Sequence, residues 1–268
     1  MARPPPTDSS TTLVTGASSG IGEAIARELA SRGHRTVLVA RREERLSELA
    51  AELGEEHGLR AEAIAADLSD EAERDRVVGR IAELGLTVEV LVNNAGFGGS
   101  GSVHRFDRKR ALGMVRVNCE AVTDLQARYS AEMVERGRGA IINIASTAAF
   151  QPLPGTATYG ATKAFVLSLS EATHSELGRH GVTVTAVCPG PVKTEFGRAA
   201  GIPAAERTLP DVFWTPVETV ARQAVEGAEK GRRVVVPGVI NRAGAVAGQH
   251  APRLLALPIV RDVWRRAT

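Results

Sequence analysis

The chain has 268 residues, with 33 Lys and Arg against 31 Asp and Glu for a formal charge of +2. That length suits a single α/β domain with a substantial core, and so even a balance of charge gives no basic field for nucleic acid or a membrane surface. Two cysteines, Cys119 and Cys188, lie outside any CxxC pair, which argues against a disulfide framework and for a reduced, cytoplasmic setting; no apolar run reaches membrane-spanning length.

Met1 to Ser10 contains Pro and Ser without an apolar core and reads as a disordered leader. Residues 11–268 then read as one domain. Thr11 to Thr15 forms a first strand, and Gly16-Ala17-Ser18-Ser19-Gly20-Ile21-Gly22 the turn after it. A helix starts inside the turn, with Ile21, Ala24, Ile25, Glu28, Leu29 and Arg32 carrying it to Gly33. A strand, a glycine turn and a helix amino end make an anion site, because backbone N–H groups and the helix dipole converge there. A dinucleotide pyrophosphate suits it. The TGxxxGxG spacing departs from the GxGxxG fingerprint, so the flanking strand and helix carry the reading.

The second strand, Thr36 to Ala40, ends in Ala where an acidic residue would grip a ribose 2′-hydroxyl. Arg41 and Arg42 follow, and guanidiniums there suit a 2′-phosphate through charge-assisted contacts. NADP(H) is therefore expected in preference to NAD(H), with Arg41 better placed than Arg42. The plainer alternative is that both are solvated at the start of a helix rich in Glu43, Glu44, Arg45, Glu48 and Glu52.

A third strand near Ala61 to Ala65 leads to Asp67-Leu68, a helix from about Asp70 to Leu84, and a fourth strand, Val88 to Val92, running into Asn93-Asn94-Ala95-Gly96. Such alternation predicts an α/β fold, a Rossmann-type doubly wound parallel sheet of about seven strands flanked by helices. Ligands of such sheets bind at the carboxyl ends of the strands. Asp67 suits an adenine amino group or a helix cap equally, and Asn93 suits either a brace or a turn.

Ala140 to Ala145 is a buried parallel strand with Ser146 at its carboxyl end. After it, Phe165, Val166, Leu169, Ala172 and Leu177 recur at helical spacing, so Tyr159 and Lys163 share one helix face. An ammonium at roughly 4.5 Å from a phenol favours phenolate by roughly 3.7 kcal/mol at an effective dielectric of about 20, with desolvation opposing it. A Tyr so tuned can exchange a proton with a carbonyl or alcohol oxygen, and Ser146 can hydrogen-bond the same oxygen. The same spacing occurs in helices whose Tyr is half-buried and whose Lys is solvated, so the glycine turn upstream gives the pair its meaning.

Val182 to Val187 is a further strand, ending in Cys188-Pro189-Gly190-Pro191. The irregular segment from Lys193 to Thr215 carries Phe196, Ile202, Leu209, Val212, Phe213 and Trp214; a loop of that length is usually functional. A helix from about Pro216 to Lys230 and a strand from Arg232 to Val236 follow. The tail from 237 to 268 is apolar with basic punctuation, and suits a partner subunit, the substrate cleft or, less well, a membrane surface.

Thr15-Gly16 through Gly22, Asn93-Asn94-Ala95-Gly96, Asn118, Ser146, Tyr159 with Lys163, and Pro189-Gly190 stand in the order and spacing of the short-chain dehydrogenase/reductase family, which the chain resembles from about Thr11 to Val236. The resemblance implies Tyr159 as proton donor or acceptor, Lys163 holding the nicotinamide ribose and the phenol's pKa, Ser146 orienting the substrate oxygen, and Asn118 anchoring a water in the relay. It implies a coenzyme site running from Gly16, Ser18, Ser19, Gly20, Ile21 and Gly22 through Arg41, Arg42, Asp67, Leu68, Asn94, Ala95 and Gly96. The far end of that site is formed by Pro189, Gly190, Val192 and Thr194. A lid at about 193–215 and a homodimer or homotetramer, paired through the helices of Asn118 and Tyr159, follow in the same way. The expected activity is interconversion of an apolar ketone or aldehyde with its alcohol, without a metal. Two rivals stand beside it: epimerisation or dehydration on the same fold, and a non-enzymatic NADP(H)-binding regulator, which would be expected to lack Ser146, Tyr159 or Lys163.

Overall fold

The computed structural model describes residues 9–201 and 210–252, together with Leu254, Leu257 and Pro258. Residues 1–8 of the expected leader, Ile202 and Leu209 of the expected lid and most of the basic-apolar tail lie outside these residues. Seven strands are described: β1 (Ser10–Thr15), β2 (Thr36–Ala40), β3 (Ala61–Ala65), β4 (Thr87–Asn93), β5 (Gly139–Ile144), β6 (Val182–Val187) and β7 (Val234–Val235). All pair in parallel, in the order β3-β2-β1-β4-β5-β6-β7.

The strands read as near-continuous apolar runs because both of their faces are buried. Leu13, Val37, Leu91 and Ile141 enter one core, while their neighbours Val14, Leu38, Val92 and Ile142 enter the other. The second set meets α1 (Gly20–Ser31), α2 (Glu43–His57) and α8 (Val217–Glu229) through residues such as Ile25, Leu46 and Val220. The first meets α3 (Glu71–Glu83) and α5 (Ala121–Glu135) through Val77, Leu125 and Met133. Strand order reverses at β1 and β4, and the crevice there, at the strands' carboxyl ends, is where such sheets bind ligands.

Several bounds differ from expectation, the last strand shortening from Arg232–Val236 to Val234–Val235, and three further points stand out. Ser10 is buried within β1 and the carbonyl of Ser9 accepts from the amide of Thr87 at 2.9 Å, so the first strand starts earlier than Thr11 because β4 offers it a partner. Helix α4 (Arg108–Val115) continues into α5 through a widened π turn, Arg116–Glu120, in which the amide of Ala121 reaches back to the carbonyl of Arg116. The first part of the tail is a helix, α9 (Val239–His250), packed on the domain. Among the described residues, no helix is long and apolar enough to cross a membrane.

Candidate active site

A cleft of about 640 Å³ runs along the carboxyl ends of the strands, from Arg41, Asp67 and Leu68 past the glycine turn to Ser146, Tyr159, Lys163 and Pro189. The turn after β1 is tight for a reason readable in its contacts. Gly16 has φ of +65°, and a Cβ on Gly22 would lie 2.3 Å from the carbonyl oxygen of Gly16 and 2.4 Å from Nδ2 of Asn94. Only hydrogen fits there, which lets helix α1 begin close against the strand. The hydroxyl of Thr15 donates to the carbonyl of Val92 at 3.0 Å and accepts from the amides of Asn94 and Ala95, while Nδ2 of Asn94 donates to the carbonyl of Thr15 at 2.9 Å. These bonds tie the turn to the end of β4. Asn93 points the other way, donating to Asn143 within the sheet at 2.9 Å, and is a brace.

At the opposite end of the cleft Asp70, not Asp67, caps α3, accepting from the amide of Ala72 at 2.9 Å. Asp67 accepts from the amide of Ser69 at 3.0 Å and lines the cleft with Leu68. Desolvation opposes its ionisation, but the Ser69 hydrogen bonds and the charge of Arg41 prevail and hold its carboxyl below the usual range. The two arginines differ in a way their order in the chain does not reveal. Arg41 is exposed beside Asp67. Arg42, the residue before α2, turns back to the glycine turn and donates to Ser18 Oγ, the Ser18 carbonyl and Ser19 Oγ at 3.2, 3.1 and 2.7 Å. Both arginines line the cleft, Arg41 at the Asp67 end and Arg42 beside the glycine turn.

Ser146 follows β5 in extended backbone, and its Oγ accepts from the amide of Ala148 at 3.1 Å, opening the short turn Thr147–Phe150. Helix α6 (Ala157–Gly178) brings Tyr159 and Lys163 to the same place. Lys163 is buried; its Nζ donates to the carbonyl of Ile144 at 2.7 Å and lies 5.9 Å from the centre of the Tyr159 ring. Burial pushes the Lys163 ammonium down to about 8, against the pull of the nearby Cys119 and Cys188. Burial likewise pushes the Tyr159 phenol up to about 12, the Ser146 hydrogen bond opposing it and Cys188 adding to it. The expected phenolate stabilisation is thus outweighed in the protein alone by loss of hydration.

Asn118 is fully buried in the π turn, not a surface residue. Its Nδ2 donates to the carbonyl of Phe97 at 3.1 Å and to Oγ1 of Thr162 at 3.0 Å, and its Oδ1 accepts from the amide of Phe97 at 3.2 Å. The amide clamps the loop after β4 to α6. Widened turns of this kind recur at functional sites.

Beyond β6, Pro189 accepts from the amide of Thr147 at 2.9 Å, and Val192 and Thr194 line the cleft. Thr194 lies over Gly20, at the glycine turn. Phe196 opens the short helix α7 (Phe196–Ala199), and its ring packs on Tyr159 with centroids 5.5 Å apart. A residue outside any motif completes this end: the Asn241 side chain of α9 would lie 2.3 Å from a Cβ on Gly190, and its Nδ2 donates to Thr215 Oγ1 at 3.1 Å and the Phe213 carbonyl at 3.3 Å. Nothing in the tail's composition singles it out. The cleft's glycine turn, its polar far end and the arginine beside Ser18 suit an elongated phosphorylated dinucleotide.

The family model for the short chain dehydrogenases matches residues 10–202. A Streptomyces violaceoruber protein, provisionally named ketoacyl reductase 1 of the granaticin polyketide synthase, is 41% identical over 68% of this chain and 67% of its own. Among solved structures, a Sphingobium yanoikuyae short-chain dehydrogenase in complex with NADPH is 39% identical, covering 89% of this chain and 92% of that one at a TM-score of 0.80. The bulky-bulky ketone specific alcohol dehydrogenase of Comamonas testosteroni is 33% identical over 97% and 95% of the two chains, with a TM-score of 0.76. Motif order, parallel seven-stranded sheet and relatives agree that this chain is an oxidoreductase of the short-chain dehydrogenase/reductase family, acting between CH–OH groups and a nicotinamide dinucleotide.

Proposed function

We propose that the protein reduces an apolar ketone with NADP(H), and that Tyr159 supplies the proton. The observation that carries this reading is the convergence of Ser146, Tyr159 and Lys163 at the end of β5, in the cleft that the glycine turn and Arg42 also line. When bound, NADPH supplies the hydride. The phenol of Tyr159, held near 12, stays protonated at neutral pH, which is the state that a carbonyl oxygen receiving hydride requires. Ser146 shares the oxygen's second hydrogen bond, and Lys163, anchored on Ile144, presents its charge beneath the phenol. Positioning and proton supply are what the chain adds.

Phe97, Phe196 and Trp214 give the substrate end an apolar lining, which supports a bulky apolar ketone, as does the Comamonas enzyme's specificity for bulky-bulky ketones. The NADPH bound by the Sphingobium relative, and Arg42 beside the glycine turn, support NADP(H) over NAD(H). Two free thiols, Cys119 and Cys188, fit work in a reducing cytoplasm. NADPH and NADH oxidation against aryl, steroid and acyl-thioester ketones tests the reading, with Tyr159→Phe as control. That variant is expected to lose about 10²- to 10⁴-fold in kcat, the share of a positioned general acid; unchanged turnover would overturn the assignment.

A further inference from the structure

The irregular segment after β6 returns to the opposite end of the coenzyme cleft. Glu195, next to Thr194 over Gly20, pairs through Oε2 with Nη1 of Arg42 at 2.9 Å, across 153 residues of chain. The other nitrogens of the same guanidinium, Nε and Nη2, are held by Ser18 and Ser19. The cation is thus oriented by the glycine turn, and Glu195 takes the nitrogen that remains. Both partners are open to solvent, with side-chain exposures of 46% and 60%, and both line the cleft. An anion arriving from solution can therefore reach Arg42, and an exposed carboxylate can yield to it.

We propose that Glu195 is a coenzyme-discriminating residue: its carboxylate competes with the 2′-phosphate of NADP(H) for Arg42, and so tempers affinity for the phosphorylated coenzyme and leaves NAD(H) untouched. This rests on the NADP(H) reading above, and adds to it a second anion from the chain itself. Phosphate carries more charge than carboxylate and accepts through three oxygens, so it wins the exchange. No bond is made or broken; one ion pair replaces another.

The test is the dissociation constants of NADPH and NADH, read by coenzyme fluorescence, for the full-length protein and its Glu195→Gln, Arg42→Gln and double variants. Glu195→Gln is expected to bind NADPH about two- to fivefold more tightly, the range an exposed ion pair commands. NADH binding should not change, and the gain should vanish in the Arg42→Gln background. A Glu195→Gln protein that binds NADPH as the parent does, that shifts both coenzymes alike, or that gains equally without Arg42 overturns the proposal. A parent protein that binds NADPH no more tightly than NADH would sink the NADP(H) reading itself; if the parent prefers NADPH and Arg42→Gln weakens that preference while Glu195→Gln is inert, only the role of Glu195 has failed, and if Arg42→Gln leaves the preference intact, the role of Arg42 and with it the proposal has failed.

Discussion

Lys163 is asked to be charged beside Tyr159 and to be buried, and the two demands oppose each other. Burial brings its ammonium down to about 8, within reach of ordinary assay conditions. Since the charged form exists below that value, kcat/KM for ketone reduction should hold up to about pH 7 and fall as pH climbs through about 8, with the phenol still protonated. A reduction profile flat to pH 10 would show that this charge is not needed. Gly22 tests the other end of the cleft. In Gly22→Ala the new methyl would sit 2.3 Å from a backbone oxygen that cannot swing aside, so a loss of about 1–3 kcal/mol is expected in thermal unfolding, with weaker NADPH binding. Both residues were legible from motif and spacing. The direction of the Tyr159 shift was only half so: Coulomb attraction follows from a four-residue spacing, whereas desolvation depends on the packed surroundings.

Among the elements, α3, the π turn and α5 meet on one buried guanidinium. Arg74 pairs with Asp124 at 2.6 Å and Glu120 at 2.9 Å, and donates to the carbonyl of Leu68, a residue that lines the cleft, at 2.9 Å. Arg74→Ala would strand these partners, and about 3 kcal/mol of stability should go with it, the low end for a broken buried pair because Glu120 is half exposed. Chemical denaturation checks it, and a loss under 1 kcal/mol would mean the network is dispensable. The strands were legible because burial on both faces leaves long apolar runs. The π turn was not, since it depends on partners brought by the fold, the Phe97 backbone and Thr162. Nor was α9, whose buried residues are only Asn241 and Ala245 in an otherwise exposed or half-exposed helix.

For the molecule as a whole, Leu112 and Val115 of α4 and Phe165 of α6 are exposed apolar side chains on neighbouring helices. We expect a dimer or tetramer paired there, and a Phe165→Glu variant of lower mass by light scattering; a parent protein that is monomeric at micromolar concentration would remove the expectation. The fold class followed from alternating strands and helices, and the coenzyme cleft from the rule that such sheets bind at their carboxyl ends. What sequence could not supply was which distant residues meet, Asn241 and Gly190 above all. That meeting orders events during synthesis. The turn bearing Gly190 is made first, and the side chain that packs against it is added some fifty residues later, so a ribosome-bound chain can fold most of its sheet while that turn is still uncovered. The packing on Gly190 waits for α9 to leave the exit tunnel.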